Sequence, residues 1–264
     1  MVRQAGGLWH QQREVTCFSF TRAFVVLIPA PPLTLQSRGS PQAALVVPSA
    51  LRAPASPHFH VRHFMEQLIL VRHGVTANNA ARLIQGTQDI PLSEAGHRQA
   101  AGLAEALSSE KIDLIISSPQ VRALLTAEAA AKHHRLAVVT DKELRERSFG
   151  IFQGGPVQAY QDALAASGLP RWDFKPDGGE TIHEVWARCA EFLQRLKHST
   201  AKHALVVAHE GVNRCLILMI LGRSVTEWTT FKQENCCINQ FWFRSDGSVD
   251  SYELNKTAHL PELA

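Results

Sequence analysis

The feature that most constrains the fold is a series of short apolar runs, separated by amphipathic stretches, that begins at Met65. Six of these runs are candidate strands, namely residues 68–71, 114–117, 137–139, 205–208, 240–243 and 249–254. The first four are apolar throughout, as is typical of strands that helices cover on both faces of a sheet. The pattern predicts one layered α/β domain, residues 65–264, around a mostly parallel sheet.

The stretches between these runs carry helix signals. The dipeptide Ser118-Pro119 predicts an N-cap and a first helical residue for a helix that continues to about Lys132. Thr181 and Glu184 form a capping-box pattern ahead of apolar residues at helical spacing. Two further helices are predicted, over residues 93–107 and from just after His209.

Residues 1–64 differ in composition from the rest of the chain. They contain seven of the 13 prolines, no lysine, and six arginines against the single acid Glu14. We expect a disordered extension that arises from a start codon upstream of Met65, a transit peptide or an expression remnant. Because the basic balance belongs to this segment, it does not indicate a nucleic-acid partner for the domain.

Cysteine content and hydropathy bear on the cellular compartment. Five cysteines, two of them adjacent and none in a C-x-x-C pair, fit neither a disulfide framework nor a zinc site. The apolar run at residues 23–28 is far shorter than the roughly 18 to 20 residues that cross a bilayer. We expect a cytoplasmic protein with no membrane partner.

Polar residues recur where the apolar runs end. Arg72 and His73 follow the first run, Arg122 and Glu146 lie beyond the second and third, and His209 follows the fourth. Since the carboxyl ends of parallel strands line one crevice, these side chains are expected to converge there. Guanidinium groups match phosphate oxygens, and helix N-termini near Pro119 and Gly211 are expected to add N–H donors. The pattern therefore indicates a phosphoryl site.

Five ordered blocks of sequence resemble the histidine phosphatase superfamily, also called phosphoglycerate mutase-like, over residues 66–257. The blocks are Leu70-Val71-Arg72-His73-Gly74 with Thr76 and Asn79; Gln85-Gly86 with Pro91-Leu92-Ser93-Glu94-Ala95-Gly96; Ser117-Ser118-Pro119 with Arg122; Glu146 with Phe149-Gly150 and Gly178-Gly179-Glu180-Thr181; and Ala208-His209-Glu210-Gly211. The resemblance implies a three-layer α/β/α fold. It is greatest to the broad-specificity and α-ribazole phosphatase branch.

The resemblance also implies roles for individual residues. His73 is expected to be the nucleophile that becomes a phosphohistidine, and Glu146 the general acid and base, with Glu143 as its near neighbour. Phosphoryl oxygens are expected to contact Arg72, Asn79, Arg122 and His209. Residues on the substrate side are expected to be Gln85, Gly86, Glu180 and Glu210. Gly74 is expected to let backbone and phosphate approach closely.

Two departures from the family pattern affect the expected substrate. Val75 replaces a frequent acid, and Glu210 stands where a small residue is common, so Glu210 either disfavours acidic substrates or points to solvent. Residues 151–177 lack the paired arginines that mutases of this family use for a substrate carboxylate. The chain is therefore expected to be a phosphomonoesterase for a small phosphate ester, rather than a 2,3-bisphosphoglycerate-dependent mutase or a non-catalytic phosphate-binding module.

No metal or other cofactor is expected. His133-His134 and the group His58, His60 and His63 lack supporting acids or cysteines, so the first pair is interpreted as a helix end. A homodimer is a further alternative, for which residues 241–243 would offer a strand edge, although this run is better explained as core.

Overall fold

The computed structural model describes residues 65–260, so the prediction for residues 1–64 lies outside the described part. Its six strands are β1 (Gln67–Arg72), β2 (Leu114–Ser117), β3 (Val138–Thr140), β4 (His203–Ala208), β5 (Ile238–Phe243) and β6 (Val249–Lys256). They form one sheet in the order β3-β2-β4-β1-β5-β6. The first four strands are parallel, and β5 and β6 are antiparallel to their neighbours. The predicted mostly parallel sheet is confirmed.

Helices fill the connections between the strands. They are α1 (Ala77–Ala80), α2 (Glu94–Leu107), α3 (Val121–His134), α4 (Val157–Ser167), α5 (Ile182–Lys197) and α6 (Glu210–Ile220), with short 3₁₀ helices at Lys142–Leu144, Gly150–Phe152 and Val225–Glu227. In the part of the chain from 65 to 260, no helix is both long enough and apolar enough to cross a bilayer.

Side chains of the central strands alternate between two cores. Ile69 and Val71 of β1 pack with α2 and α3, whereas Leu68 and Leu70 pack with α5 and α6. Successive strand residues point to opposite faces, so a continuous apolar strand requires a helical layer on each side. The three-layer α/β/α architecture is therefore confirmed.

Three local predictions need correction. Strand β3 is an edge strand whose Val139 is 53% exposed, so it is not covered on both faces. Helix α3 begins at Val121 with Gln120 as N-cap, because Ser118 still belongs to the strand end: its N–H donates to the carbonyl of Val207. Residues 241–243 offer no edge for a dimer, because β5 pairs on both sides with β1 and β6.

The predicted capping box of α5 is confirmed. Thr181 accepts the N–H of Glu184, and the Glu184 carboxylate accepts the N–H of Thr181, which is the reciprocal pair of a capping box. The predicted helix over residues 93–107 is also present as α2, and Ser93 caps it by accepting the N–H of Gly96.

Helix α2 packs unusually close to the turn after β1. A Cβ atom at Gly96 would lie 2.1 Å from the carbonyl oxygen of Val75, and one at Gly74 would lie 2.7 Å from the carbonyl oxygen of Gly96. Both contacts involve backbone, which cannot rotate away. The glycine at position 74 is therefore required for packing against α2, which differs from its expected role of admitting a phosphate.

We predict that Gly96→Ala destabilises the domain, because the helix or the turn must shift to admit the new methyl group. The expected cost is about 1–3 kcal/mol of unfolding free energy. Thermal melting should show this cost as a fall in melting temperature of about 2–4 °C per kcal/mol. Gly102→Ala in the same helix is the control: Gly102 lies outside the buried face, and alanine there should leave the melting temperature unchanged or raise it. Equal melting of wild type and Gly96→Ala would contradict the packing argument.

Candidate active site

A cavity of about 370 Å³ opens at the carboxyl ends of the parallel strands, a size within the usual range of ligand pockets. Its walls include eight of the ten predicted site residues, namely Arg72, His73, Asn79, Gln85, Gly86, Arg122, Glu146 and Glu210. His209 lies buried directly behind His73, with their ring centroids 5.1 Å apart. The structure places Glu180 elsewhere.

The His73 ring is held in a single tautomer. Its Nδ1 lies 2.7 Å from the carbonyl oxygen of Gly74, and a carbonyl can only accept, so Nδ1 carries the hydrogen. The lone pair of the neutral ring is therefore on Nε2. Nε2 receives the Nε–H of Arg122 at 3.3 Å, inside the cavity wall. His73 thus has its acceptor nitrogen Nε2 bound to Arg122, on a side chain that lines the cavity.

Both histidines favour the neutral form. Burial lowers the pKa of His73 well below its usual value near 6.5, and the charges of Arg122 and Arg72 lower it further. Burial likewise lowers the pKa of His209 well below that value, and Arg122 adds to the effect. A neutral imidazole is the form that can attack an electrophile.

Arg122 is a fully buried guanidinium. Its terminal nitrogens donate to the carbonyl oxygens of Gln88 at 2.7 Å and Gly86 at 2.8 Å, which leaves Nε for His73. Burial lowers the pKa of Arg122 to about 10, while Glu146 and Asp89 act in the opposite direction. The group therefore remains cationic at neutral pH and gives the cavity floor a fixed positive charge.

Arg72 and His209 each carry a polar atom without a partner. The Nε of Arg72 and the Nδ1 of His209 are buried and make no hydrogen bond within residues 65–260. The other ring nitrogen of His209 lies 2.8 Å from the hydroxyl of Ser118. Buried polar atoms are normally satisfied, so each of these two atoms can take a further hydrogen bond. Arg72 lines the cavity, whereas His209 is not among its lining residues.

The surroundings of Arg72 explain the acid at position 210. Arg72 donates to the carbonyl of Gln233 and forms an ion pair of 3.1 Å with Glu210, which also pairs with Arg214 at 2.9 Å. Glu210 thus pairs with two arginines, while its side chain is still 37% exposed. Both arginines compensate its charge.

Asn79 and Gln85 are held by Thr76. The Oδ1 of Asn79 accepts from the N–H and the hydroxyl of Thr76, both at 3.1 Å. The Thr76 hydroxyl also lies 2.9 Å from the Oε1 of Gln85. These contacts fix both amide side chains along one wall of the cavity.

Glu146 lines the same cavity as His73 and lies on a loop. Its Oε1 accepts the N–H of Arg147 at 2.9 Å, and its Oε2 lies 3.4 Å from the N–H of Gly211 at the start of α6. Its own N–H donates to the Oε1 of Gln120 at 2.7 Å. Burial raises the pKa of Glu146 above its usual value, although the Arg147 N–H and Arg122 lower it in part. The carboxyl group therefore keeps its proton to higher pH than an exposed one.

One N–H at each of the two helix N-termini that were expected to add anion donors is already engaged. The N–H of Val121 is already bound by the carboxylate of Asp89 at 2.7 Å, and the N–H of Gly211 faces Glu146. Gly211 is needed there, because a Cβ would lie 2.6 Å from a Glu146 oxygen.

Glu180 was predicted on the substrate side, but it does not line this cavity. Its carboxylate lies outside the cavity walls and pairs with Arg145 and Arg188, each at 3.1 Å, and accepts the N–H of Ser148. Glu180 therefore stabilises the loop that carries Glu146. Glu143 also lies outside the cavity, where it pairs with Arg145.

Sequence reasoning missed several cavity residues. Tyr160 and Arg171 come from residues 151–177, and the guanidinium of Arg147 donates to the Tyr160 hydroxyl at 3.0 Å. Trp228 and Arg214 complete the opposite wall. Arg147 stands next to Glu146 in the sequence. Nothing in the sequence indicated that its guanidinium would be buried and would bind Tyr160, 13 residues away.

Within residues 65–260, no group of three or more histidine, cysteine, aspartate or glutamate side chains has the geometry to hold a metal ion. His133 and His134 end helix α3, as predicted. The group His58, His60 and His63 lies outside the described residues.

Comparisons with known proteins agree with this geometry. A sequence model described as histidine phosphatase superfamily (branch 1) matches residues 68–254. The chain is 42% identical over 159 residues to phosphoglycerate mutase-like protein 4 of Arabidopsis thaliana, covering 57% of this chain and 69% of that protein.

Solved structures of phosphatases are also similar to this chain. A mycobacterial glucosyl-3-phosphoglycerate phosphatase in complex with VO3 is 31% identical, with a TM-score of 0.65 over 73% of this chain and 100% of that one. The α-ribazole phosphatase of Shigella flexneri is 26% identical, with a TM-score of 0.66 over 72% of this chain and 96% of that one.

We predict that the two buried histidines make stability depend on pH. Their folded-state pKa values are depressed, so the unfolded chain binds more protons once the pH falls below about 6.5. The free energy of unfolding should then fall by about 1.4 kcal/mol per pH unit for each histidine, until the pH reaches the folded-state pKa. Urea unfolding at pH 7.5, 6.5 and 5.5 measures this slope. In the His73→Asn variant, the slope of unfolding free energy against pH should be smaller by the contribution of one histidine. Equal slopes for wild type and variant would contradict the burial of a neutral His73.

Proposed function

Since this chain belongs to branch 1 of the histidine phosphatase superfamily, as its sequence blocks predicted, we propose that it is a metal-independent phosphomonoesterase that hydrolyses a small phosphate ester. The observation that carries the proposal is the His73 ring. Its Nδ1–H is bound to Gly74, so the lone pair is on Nε2, which accepts from Arg122 on a side chain that lines the cavity. A cavity of about 370 Å³ suits a small ester.

In the first step, the hydrogen bond from the Nε–H of Arg122 shifts from Nε2 of His73 to a phosphoryl oxygen. The freed Nε2 lone pair then attacks phosphorus while the ester P–O bond breaks. The electron pair of that bond goes to the leaving oxygen, and the Glu146 carboxyl group gives this oxygen its proton, so an alcohol departs. The raised pKa of Glu146 supports this role, because it keeps the proton available. The product is a phosphohistidine with the hydrogen still on Nδ1.

In the second step, water attacks phosphorus and the P–N bond breaks. The Glu146 carboxylate takes the proton of the water, and the electron pair returns to Nε2, so inorganic phosphate and neutral His73 are regenerated. One carboxyl group therefore acts as acid and then as base.

Charge on the transferring oxygens is balanced by fixed donors. Arg122 lies beside Nε2, and Arg72 Nε and His209 Nδ1 are buried atoms that lack a partner among residues 65–260. Phosphoryl transfer depends on such electrostatic stabilisation, and these cations and N–H groups supply it without a metal ion. Asn79, on the cavity wall, is the fourth proposed phosphate ligand.

Two alternatives are less well supported. A non-catalytic phosphate-binding module has no need for the carboxyl group of Glu146 opposite the histidine. A mutase would pass the phosphoryl group to a second ester, and residues 151–177 contain a single arginine, Arg171, rather than a pair for a substrate carboxylate. Both alternatives are separated from the proposal by the fate of the phosphoryl group, which a hydrolase transfers to water.

We predict that wild-type protein, quenched in acid-free denaturant during turnover, carries an acid-labile phosphate on His73. His73→Ala should abolish both the phosphoprotein and the release of inorganic phosphate. Dialysis against a chelator should leave the rate unchanged, since the proposed donors are protein groups. Phosphate found on another side chain, or a rate restored by added divalent metal, would contradict the mechanism.

We predict that Glu146→Gln slows kcat/KM for alkyl phosphates by roughly 100-fold or more, because a basic alkoxide needs a proton as it leaves. The loss should be much smaller for p-nitrophenyl phosphate, whose leaving group is weakly basic. With wild type, kcat/KM for the alkyl ester should fall as the pH rises through the pKa of Glu146, and the Gln variant should lack this limb.

Two variants serve as controls for this assignment. Glu143→Gln changes a nearby acid outside the cavity and should leave both rates unchanged. Gly211→Ala forces the Glu146 carboxylate to move and should reproduce the selective loss on alkyl esters. Equal losses of Glu146→Gln on both substrates would instead assign Glu146 a role in maintaining the shape of the cavity.

A further inference from the structure

The segment between the 3₁₀ helix Val225–Glu227 and strand β5 contacts the C-terminal end of strand β1. The N–H of Cys236 lies 3.0 Å from the carbonyl oxygen of Arg72 and 3.2 Å from that of His73. The carbonyl of Gln233 accepts the guanidinium of Arg72. Residues 233–236 therefore contact the backbone of the proposed nucleophile and the side chain of its neighbour.

Within this segment, the side chain of Asn235 links two proposed catalytic groups. Its Nδ2 lies 3.0 Å from the carbonyl oxygen of His73 and 3.4 Å from the Oδ1 of Asn79. Because a backbone carbonyl can only accept, the atom of Asn235 that faces His73 must be the NH₂ donor. The orientation of this amide is thus fixed by chemistry.

The orientation of Asn79 follows from the same reasoning. The N–H of Thr76 can only donate, so the Asn79 atom it contacts at 3.1 Å must be Oδ1. Asn235 adds a further donor to this oxygen. With Oδ1 occupied by Thr76 and Asn235, the NH₂ group of Asn79 is the part left for a ligand, on a side chain that lines the cavity.

We propose that Asn235 is a positioning residue for the reaction: its amide holds the backbone of His73 and keeps the NH₂ group of Asn79 available to a phosphoryl oxygen. The inference rests on the proposed phosphatase function. Asn235 does not line the cavity, so it acts through His73 and Asn79 rather than on the substrate. Its position, 162 residues from His73 and 156 from Asn79, gives no signal in the sequence.

A purely structural role for Asn235 would predict something different. If Asn235 only joined two loops, its loss would lower thermal stability and would reduce activity by the same factor whether or not Asn79 were present. If it acts through Asn79, removing Asn79 first should remove much of its effect, since residues in one hydrogen-bond network are not additive.

The test is a double-mutant cycle on kcat/KM for p-nitrophenyl phosphate, with Asn235→Ala, Asn79→Ala and the double variant, each also melted thermally. We expect Asn235→Ala to lower kcat/KM by about tenfold or more in the wild-type background, as for other lost hydrogen bonds to a catalytic unit. The factor should shrink to about threefold or less in the Asn79→Ala background. The same factor in both backgrounds, or no loss in the single variant, would overturn the proposal.

Matched variants complete the experiment. Glu234→Ala is the neighbouring control, because the Glu234 side chain makes no hydrogen bond or ion pair with residues 65–260, and it should leave kcat/KM unchanged. Asn235→Asp keeps the shape of the side chain but places an oxygen against the two acceptors, so it should lose at least as much activity. It carries the same test should the alanine variant not fold.

A wild-type protein that hydrolyses no phosphate ester and carries no phosphohistidine would reject the proposed function itself. An active wild type with unaffected Asn235 variants would reject only the positioning role.

Discussion

The buried guanidinium of Arg122 is the interaction on which the rest of the site depends. A charge without exposure to water is costly unless hydrogen bonds and opposite charges compensate it. Here the carbonyls of Gly86 and Gln88 accept from its terminal nitrogens, which fixes the 86–88 loop against α3. Its Nε then points at His73, and its charge lowers the pKa of both His73 and His209. One side chain thus sets the shape of the cavity wall, the protonation of the proposed nucleophile and the positive charge that would meet a phosphate.

The elements that the sequence predicted correctly are those whose signals are local. The Thr181 capping box and the apolar runs of β1, β2 and β4 depend on neighbours within a few residues, so distant contacts did not override them. The start of α3 was mispredicted because the N–H of Ser118 still donates to the carbonyl of Val207 in β4, a contact with a strand that is distant in sequence. The apolar sequence of strand β3 predicted a buried strand. Its position at the edge of the sheet follows from the topology and not from its three residues.

The candidate site divides in the same way. Residues at strand ends, such as His73 and His209, could be found because parallel strands bring their carboxyl ends together. Gln120 and Asn235 could not, because each acts through hydrogen bonds to loops that are far away in sequence. The contacts of Glu180 could not be foreseen for a related reason. A residue in a family block can serve the site by holding a loop, and only its contacts with Arg145 and Arg188 reveal that.

The surroundings of Glu146 bear on how one carboxyl group can serve both proposed steps. Burial favours its protonated form, which the first step requires. The N–H of Arg147, the N–H of Gly211 and the charge of Arg122 favour the carboxylate, which the second step requires. The two influences oppose each other, and burial is the larger, so the pKa of Glu146 is raised. A proton-transfer group works best when its pKa lies near the working pH, and a rise from the usual carboxyl value is a shift in that direction.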